Sequence, residues 1–271
     1  MPVTDRKIHT SYCRGFSKLS IWYARKRILD GLSDFENAFN ERVNIFRNTS
    51  LFKDGKHPVD GVVIPEWVAI LGQVEEIFNE HIDDSDTTEL ENKSLAVFWP
   101  VLEERVKTFK RRKPTLRERP YEAWSFDYWK EYLNIHIGNT YAPDSPLSEK
   151  KIQFAAALIR LLEDSQKNRP DIASVACGSW LNSLPTFLDL FTEDWQTSGK
   201  ASRNVRYTLG HWGQFTDRKG DFHTHNGAEF RRTGGFPYPS LSCNDRIDHI
   251  LDHLCSAFPE AVDHNKVVHS R

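Results

Sequence analysis

The feature that most constrains the fold is a change of hydrophobic pattern near residue 120. Beyond it, short apolar runs at 132–137, 172–177 and 205–210 are rich in β-branched residues or alternate with polar ones, as strands do. A helical pattern that opens at Ser145-Pro146 separates the first two runs, and another at 184–195 separates the last two. Strands separated by helices predict β-α-β units, and therefore an α/β or α+β fold with a small mixed sheet.

The chain before this point predicts helices only. Apolar residues recur every three or four positions over 20–48, Pro65 suits the first turn of a second helix, and a third is interrupted or begins near Pro100. We therefore predict a helical region at 1–115 and an α/β region at 120–271. Within the latter, Asn244 caps a final helix, and 211–242 is a long irregular segment.

Composition narrows the class of protein. Of the 271 residues, 39% are hydrophobic and 27% charged, which is too apolar for a disordered chain and too polar for a membrane protein. The four cysteines form no C-x-x-C pair, and the first ten residues lack an apolar signal segment, so we expect a cytoplasmic protein. The net charge of −2 gives no overall electrostatic field that would attract nucleic acid. The basic run at 110–113 is typical of the solvated end of a helix.

Candidate catalytic residues lie where the predicted strands end, because ligands bind at the carboxyl edge of open α/β sheets. They are His136, Cys177, Ser179 and His211. Cys177 or Ser179 could serve as a nucleophile activated by a histidine. In the alternative interpretation, Cys177 is a small buried apolar residue, Ser179 caps a turn, and His136 is a core histidine.

A second hypothesis is a transition-metal site. His136, His211, His223 and His225 supply imidazoles of the kind that Zn, Fe and Cu prefer. No H-E-x-x-H or C-x-x-C motif accompanies them, and histidines are common in Gly-rich loops.

Two further groups can be interpreted in either of two ways. Arg231, Arg232, Gly234 and Gly235 could hold a cofactor's anionic group through guanidinium and backbone N–H donors, or could form a rigid surface turn. His249 and His253 are one helical turn apart and could chelate a metal, but the aspartates around them indicate an exposed helix face.

Short motifs between Leu133 and Leu188 resemble a known family. The sequences Leu-Asn-Ile-His-Ile at 133–137, Ser-Pro-Leu-Ser at 145–148 and Cys-Gly-Ser-Trp-Leu at 177–181 resemble the C-terminal domain of GNAT-like bacterial acyltransferases. Gly138 and Gly178 stand where that family has proline and histidine. The resemblance implies a GNAT-like fold that follows a helical N-terminal domain, and acyl-CoA as the cofactor.

The leading hypothesis is therefore an enzyme that transfers an acyl group to a small-molecule substrate. His136 or His211 would accept a proton from the attacking group, and Ser179 or backbone amides near Gly178 would stabilise the oxyanion. One alternative is a metal-dependent enzyme that uses the four histidines. Another is a non-catalytic binding or scaffold protein, whose aromatic N-terminal helices bind a partner.

Overall fold

The computed structural model describes residues 3–108, 115 and 117–269. The helices in that part of the chain are α1 (Val3–Leu29), α2 (Phe35–Asn37), α3 (Pro65–His81), α4 (Thr88–Thr108), α5 (Lys151–Asn168), α6 (Pro185–Leu188), α7 (Glu193–Thr197), α8 (Leu209–Trp212), α9 (Thr224–Thr233), α10 (Ile247–Ala257) and α11 (Pro259–His269). A π-helical turn, Ala38–Arg42, follows α2 directly.

The strands form one mixed sheet. They are β1 (Trp124–Trp129), β2 (Tyr132–Ile137), β3 (Ser174–Ser179), β4 (Lys200–Ala201) and β5 (Leu241–Arg246), in the spatial order β1-β2-β3-β5-β4. The pair β2–β3 is parallel and is joined through α5, whereas the other three pairs are antiparallel. The predicted mixed fold, helical first and α+β afterwards, is confirmed.

The chain divides into two compact units. Unit 1 comprises the described residues of Met1–Arg111 and Asn204–Pro237, and unit 2 those of Arg112–Arg203 and Tyr238–Arg271. The first boundary between the units lies near residue 112. The segment 204–237, which we assigned to the α/β region, packs within the helical unit instead.

Aromatic rings fill the core of unit 1. The buried rings of Trp212 and Phe230, from the second segment of this unit, pack against Tyr23 of α1, with ring centroids 5.6 and 4.9 Å from it. This packing explains why 204–237 belongs to unit 1, since burying such rings is worth about 1.5–3 kcal/mol each.

Two helix predictions in unit 1 are wrong. The pattern over 20–48 is not one helix, because the chain turns at Gly31, whose φ is +68°, and Asp34 caps a new helix by accepting the N–H of Asn37. Pro100 does not interrupt or begin a helix, since α4 runs through it. The buried side chains on both sides, such as Phe98 and Leu102, pack well enough to offset the hydrogen bond that proline removes.

In unit 2 the core lies on one face of the sheet. Leu133, Ile135 and Val175 alternate along β2 and β3 and are fully buried in the same cluster as residues of α5 and α10. Trp124 of β1 stacks on Phe154 of α5 at 4.2 Å and donates its indole N–H to the Phe154 carbonyl. The opposite face, which carries Asn134, His136 and Gly178 among others, is open to solvent.

The predicted helix opening at Ser145-Pro146 is wrong, since α5 begins only at Lys151. Further differences lie between 184 and 246. The run at 205–210 is not a strand, because the Tyr207 N–H bonds to the Glu41 carbonyl of unit 1 and α8 begins at Leu209. The segment predicted as irregular contains α8, α9 and the start of β5. Asn244 lies within β5 and caps no helix. The predicted helix at 184–195 is divided into α6 and α7, and the side chain of Thr192 caps α7.

Candidate active site

His136 belongs to a hydrogen-bonded group on the open face of the sheet. Its Nε2 lies 2.6 Å from Oδ2 of Asp127 on the neighbouring strand, and the side-chain amide of Asn134 lies 3.4 Å from both residues. The carboxylate can only accept, so Nε2–H donates to Asp127, and in the neutral imidazole the lone pair is then on Nδ1. About half of each side chain in the pair is exposed, 51% for His136 and 56% for Asp127. His136 is therefore a surface histidine held by a carboxylate and not a core histidine.

The parallel strands β2 and β3 stop pairing halfway along. Their register covers only Tyr132–Asn134 with Ser174–Ala176. On their outer sides, by contrast, β2 pairs with β1 as far as Ile137, and β3 pairs with β5 as far as Ser179. Within the described sheet, the carboxyl-terminal halves 135–137 and 177–179 thus face a gap in the ladder, which we call the β2–β3 gap.

The register also shows which backbone groups point into the β2–β3 gap. Gly138 donates its N–H to the carbonyl of Ala123, the residue before β1. The backbone N–H and C=O groups of even-numbered residues of β2 therefore point toward β1, and those of odd-numbered residues, including Ile137, point toward β3. By the same alternation Ala176 faces β2, and so does Gly178 two residues later. Gly178 and Ile137 therefore direct N–H and C=O groups into the gap, close in sequence to His136.

Cys177 and Ser179 are not arranged as activated nucleophiles. Burial raises the pKa of the Cys177 thiol to about 12, and its cross-strand neighbour is the free thiol Cys243. The hydroxyl oxygen of Ser179 accepts the N–H of Leu181 and caps the 3-10 turn that follows β3. Both residues therefore fit the structural interpretation offered above.

His211 lies in α8 of unit 1 and not at the end of a strand. It is buried, and among the described residues no hydrogen bond reaches its Nδ1. Burial, assisted by the charge of Arg206, lowers its pKa to about 4. A histidine in this environment is neutral and inaccessible, which suits core packing better than proton transfer with a solute.

We expect unit 1 to lose stability in mild acid. Burial lowers the pKa of His9, His57 and His211 from 6.5 to about 4. Below pH 6.5 the unfolded chain binds protons that these folded histidines do not, so stability is fully present above pH 6.5 and falls as pH approaches 4. After allowing for solvent screening, we expect a loss of about 1–2 kcal/mol between pH 7 and 5.5.

Urea titrations at both pH values measure this loss. The variant His211→Phe should show a smaller pH dependence than the wild type, whereas replacing the exposed His225 by glutamine should leave it unchanged. Equal pH dependence in all three proteins would contradict the assignment.

The four histidines of the metal hypothesis are divided between the units. His211, His223 and His225 belong to unit 1, and His136 to unit 2. His223 caps α9, since its Nδ1 accepts the N–H of Asn226. Among the described residues, one group of three side chains has ligand atoms close enough to share an ion, and it contains none of these four: Asp194, Asp245 and His249.

The arginines proposed to hold a cofactor are engaged in ion pairs. Arg231 forms two hydrogen bonds with the Glu91 carboxylate, at 2.7 and 2.9 Å, and Arg232 pairs with Glu229. Gly234, at φ +70°, ends α9 in the left-handed conformation that glycine favours, and Gly235 follows it. The Gly pair therefore ends a helix.

Sequence reasoning missed the partners of His136. Asp127 lies on β1, which we did not predict, although the alternation in Trp-Ser-Phe-Asp-Tyr-Trp at 124–129 is a strand signal. The basic run at 110–113 lies outside the described residues.

Comparisons with known proteins give no family to which this chain can be assigned. No family model, curated protein or solved structure matches it. Among the described residues, no helix combines the length and apolarity needed to cross a membrane.

Proposed function

We propose that this protein is an acyl-CoA-dependent acyltransferase that acts on a small-molecule acceptor, and that His136 is its general base. The observation that carries the proposal is the β2–β3 gap, which opens beside an oriented histidine–carboxylate pair. The resemblance to GNAT-like acyltransferases agrees with it, because the residues that carry that resemblance form β2, β3 and the segment leading into α5.

The chemistry of the cofactor suits the β2–β3 gap. The pantetheine arm of acyl-CoA contains two amides, which can pair with free strand N–H and C=O groups as an added strand does. Ile137 and Gly178 supply such groups. The N-terminus of α5 follows β2 and has no side-chain cap; the N–H of its first residue, Lys151, bonds to the Ser148 carbonyl, and the next N–H groups of the first turn would bind a pyrophosphate.

His136 would act on the acceptor. Its Nδ1 takes a proton from an amine or hydroxyl as that group attacks the thioester carbon, and the Asp127 carboxylate stabilises the imidazolium that results. The Gly178 N–H would donate to the oxyanion that develops on the thioester oxygen. The C–S bond would then break, and the departing CoA thiolate would take up the proton that the imidazolium releases.

Two substitutions at Gly178 test the role of the gap. Proline removes the N–H that faces the gap, where the sheet ladder gives it no partner, so we expect it to weaken acetyl-CoA binding about 10-fold, or about 1.4 kcal/mol. Alanine keeps the N–H, and its Cβ would meet nothing within 4 Å, so binding should stay within about 2-fold of wild type. Isothermal titration calorimetry measures both.

Circular dichroism and urea unfolding establish that both variants are folded. The proposal fails if the wild-type protein does not bind acetyl-CoA at millimolar concentration, or if the proline and alanine variants bind it equally well.

A further inference from the structure

A second group of polar side chains lies at the other end of the sheet. Asp194 comes from the first turn of α7, Asp245 from the end of β5 and His249 from the first turn of α10. One ligand atom from each lies within 4.8 Å of the other two. Asp245 pairs with Val175, near the start of β3, whereas the β2–β3 gap lies at the end of β3. This group therefore lies at the opposite end of the strands from the β2–β3 gap.

Asp245 is held firmly within this group. Only 6% of its side chain is exposed, although it carries a carboxylate. Its Oδ2 accepts a 2.5 Å hydrogen bond from the Thr192 hydroxyl, and its Oδ1 lies 3.2 Å from Nδ1 of His249. Thr192 also caps α7 by accepting the N–H of Trp195, so one residue orients both Asp245 and the helix that carries Asp194. Such supporting hydrogen bonds are typical of carboxylates that bind metals.

The charges around the group favour a cation. Asp194 and Asp245 bring two carboxylates together, and Glu193 adds a third acidic residue next to them. The nearby Arg246 is engaged by both oxygens of Asp248, at 2.9 and 2.6 Å. Within the described residues, the Asp194 carboxylate forms no hydrogen bond or ion pair. A divalent ion would offset the repulsion between the two carboxylates.

We propose that Asp194, Asp245 and His249 bind a divalent first-row transition-metal cation. One imidazole and two carboxylates form a mixed nitrogen and oxygen ligand set, which suits Mn²⁺, Fe²⁺, Co²⁺ or Zn²⁺ better than the all-oxygen ions Ca²⁺ and Mg²⁺. Water completes the coordination on the exposed side of Asp194 and His249. This site is separate from the proposed acyltransferase site, so either proposal can fail without the other.

Cobalt binding to the full chain tests the site. The tag-free protein, stripped of metal with a chelator and then dialysed, is titrated with Co²⁺ and followed by visible absorption and calorimetry. We expect one tight equivalent. Asp194→Asn and His249→Ala each remove a ligand from an exposed position and should weaken binding by more than the roughly 10-fold effect typical of an outer-shell partner.

Two matched variants serve as controls. Glu193→Gln removes the same charge as Asp194→Asn from the adjacent residue, and His253→Ala removes an imidazole one turn further along α10, where Nε2 contacts the Asp189 carbonyl. Both should bind Co²⁺ within about 3-fold of wild type. The proposal is overturned if Co²⁺ does not saturate the wild type by about 1 mM, or if Asp194→Asn and His249→Ala bind it as the controls do.

Discussion

Replacement of His136 by alanine should lower kcat for acyl transfer by about 10²–10⁴-fold, the usual contribution of a positioned general base. The loss follows from the geometry of its imidazole, whose Nε2 is fixed by Asp127 at 2.6 Å while about half of the side chain is exposed to solvent. Because the side chain is half exposed and outside the core, folding should be unaffected. Release of free CoA from acetyl-CoA, measured with a thiol reagent across a panel of amines and alcohols, gives the rate.

Two companion variants separate catalysis from binding. Asp127→Asn keeps the size of the side chain but removes the charge that stabilises the imidazolium, so it should lower kcat while leaving acetyl-CoA affinity unchanged. His253→Ala, distant along the chain, should be fully active. If His136→Ala retains wild-type turnover with the same acceptor, His136 is not the base.

Replacement of Asn182 by alanine should destabilise unit 2 by about 3 kcal/mol. The Asn182 side chain is only 2% exposed and makes three hydrogen bonds. Its amide donates to the carbonyls of Cys177 and Leu241, each at 2.9 Å, and its carbonyl oxygen accepts the indole N–H of Trp195. Alanine would leave the fully buried indole N–H without a partner, which costs more than the bond itself was worth. Urea unfolding followed by circular dichroism measures the change.

Ser183 offers a control for this effect. It follows Asn182 directly and makes a single hydrogen bond, from its hydroxyl to the Pro239 carbonyl, near the surface. Ser183→Ala should therefore cost no more than about 1 kcal/mol. Similar unfolding midpoints for the two variants would show that the Asn182 bonds do not support the sheet.

Local pattern was sufficient for several elements of the fold. The predicted helix after Pro65 matches α3, and the β-branched run at 132–137 matches β2. In these segments the periodicity comes from burial of a single face, so the sequence itself carries the signal. The position of His136 at the end of a strand could be predicted for the same reason.

The remaining elements depend on contacts between distant parts of the chain. The run at 205–210 alternates like a strand, but its backbone bonds to Glu41, more than 160 positions earlier. The His136–Asp127 pair needs the register of the β1–β2 hairpin, and Asp194 meets Asp245 only through sheet pairing and Thr192. The spacing of residues along a single sequence does not indicate which of these distant residues come into contact.

Residues 204–237 belong to unit 1 but interrupt the sequence of unit 2, which has a consequence for biosynthesis. The chain leaves unit 2 after β4 and returns just before β5, yet β5 lies between β3 and β4 and is the strand with which β4 pairs. The helices of unit 1 likewise receive Trp212 and Phe230 only from that late segment. Neither unit can therefore be complete until residues 204–237 have been synthesised, and unit 2 must also wait for β5. A chain that stops just before β5 should therefore contain every segment of unit 1 but lack the strand that joins β3 to β4 in unit 2.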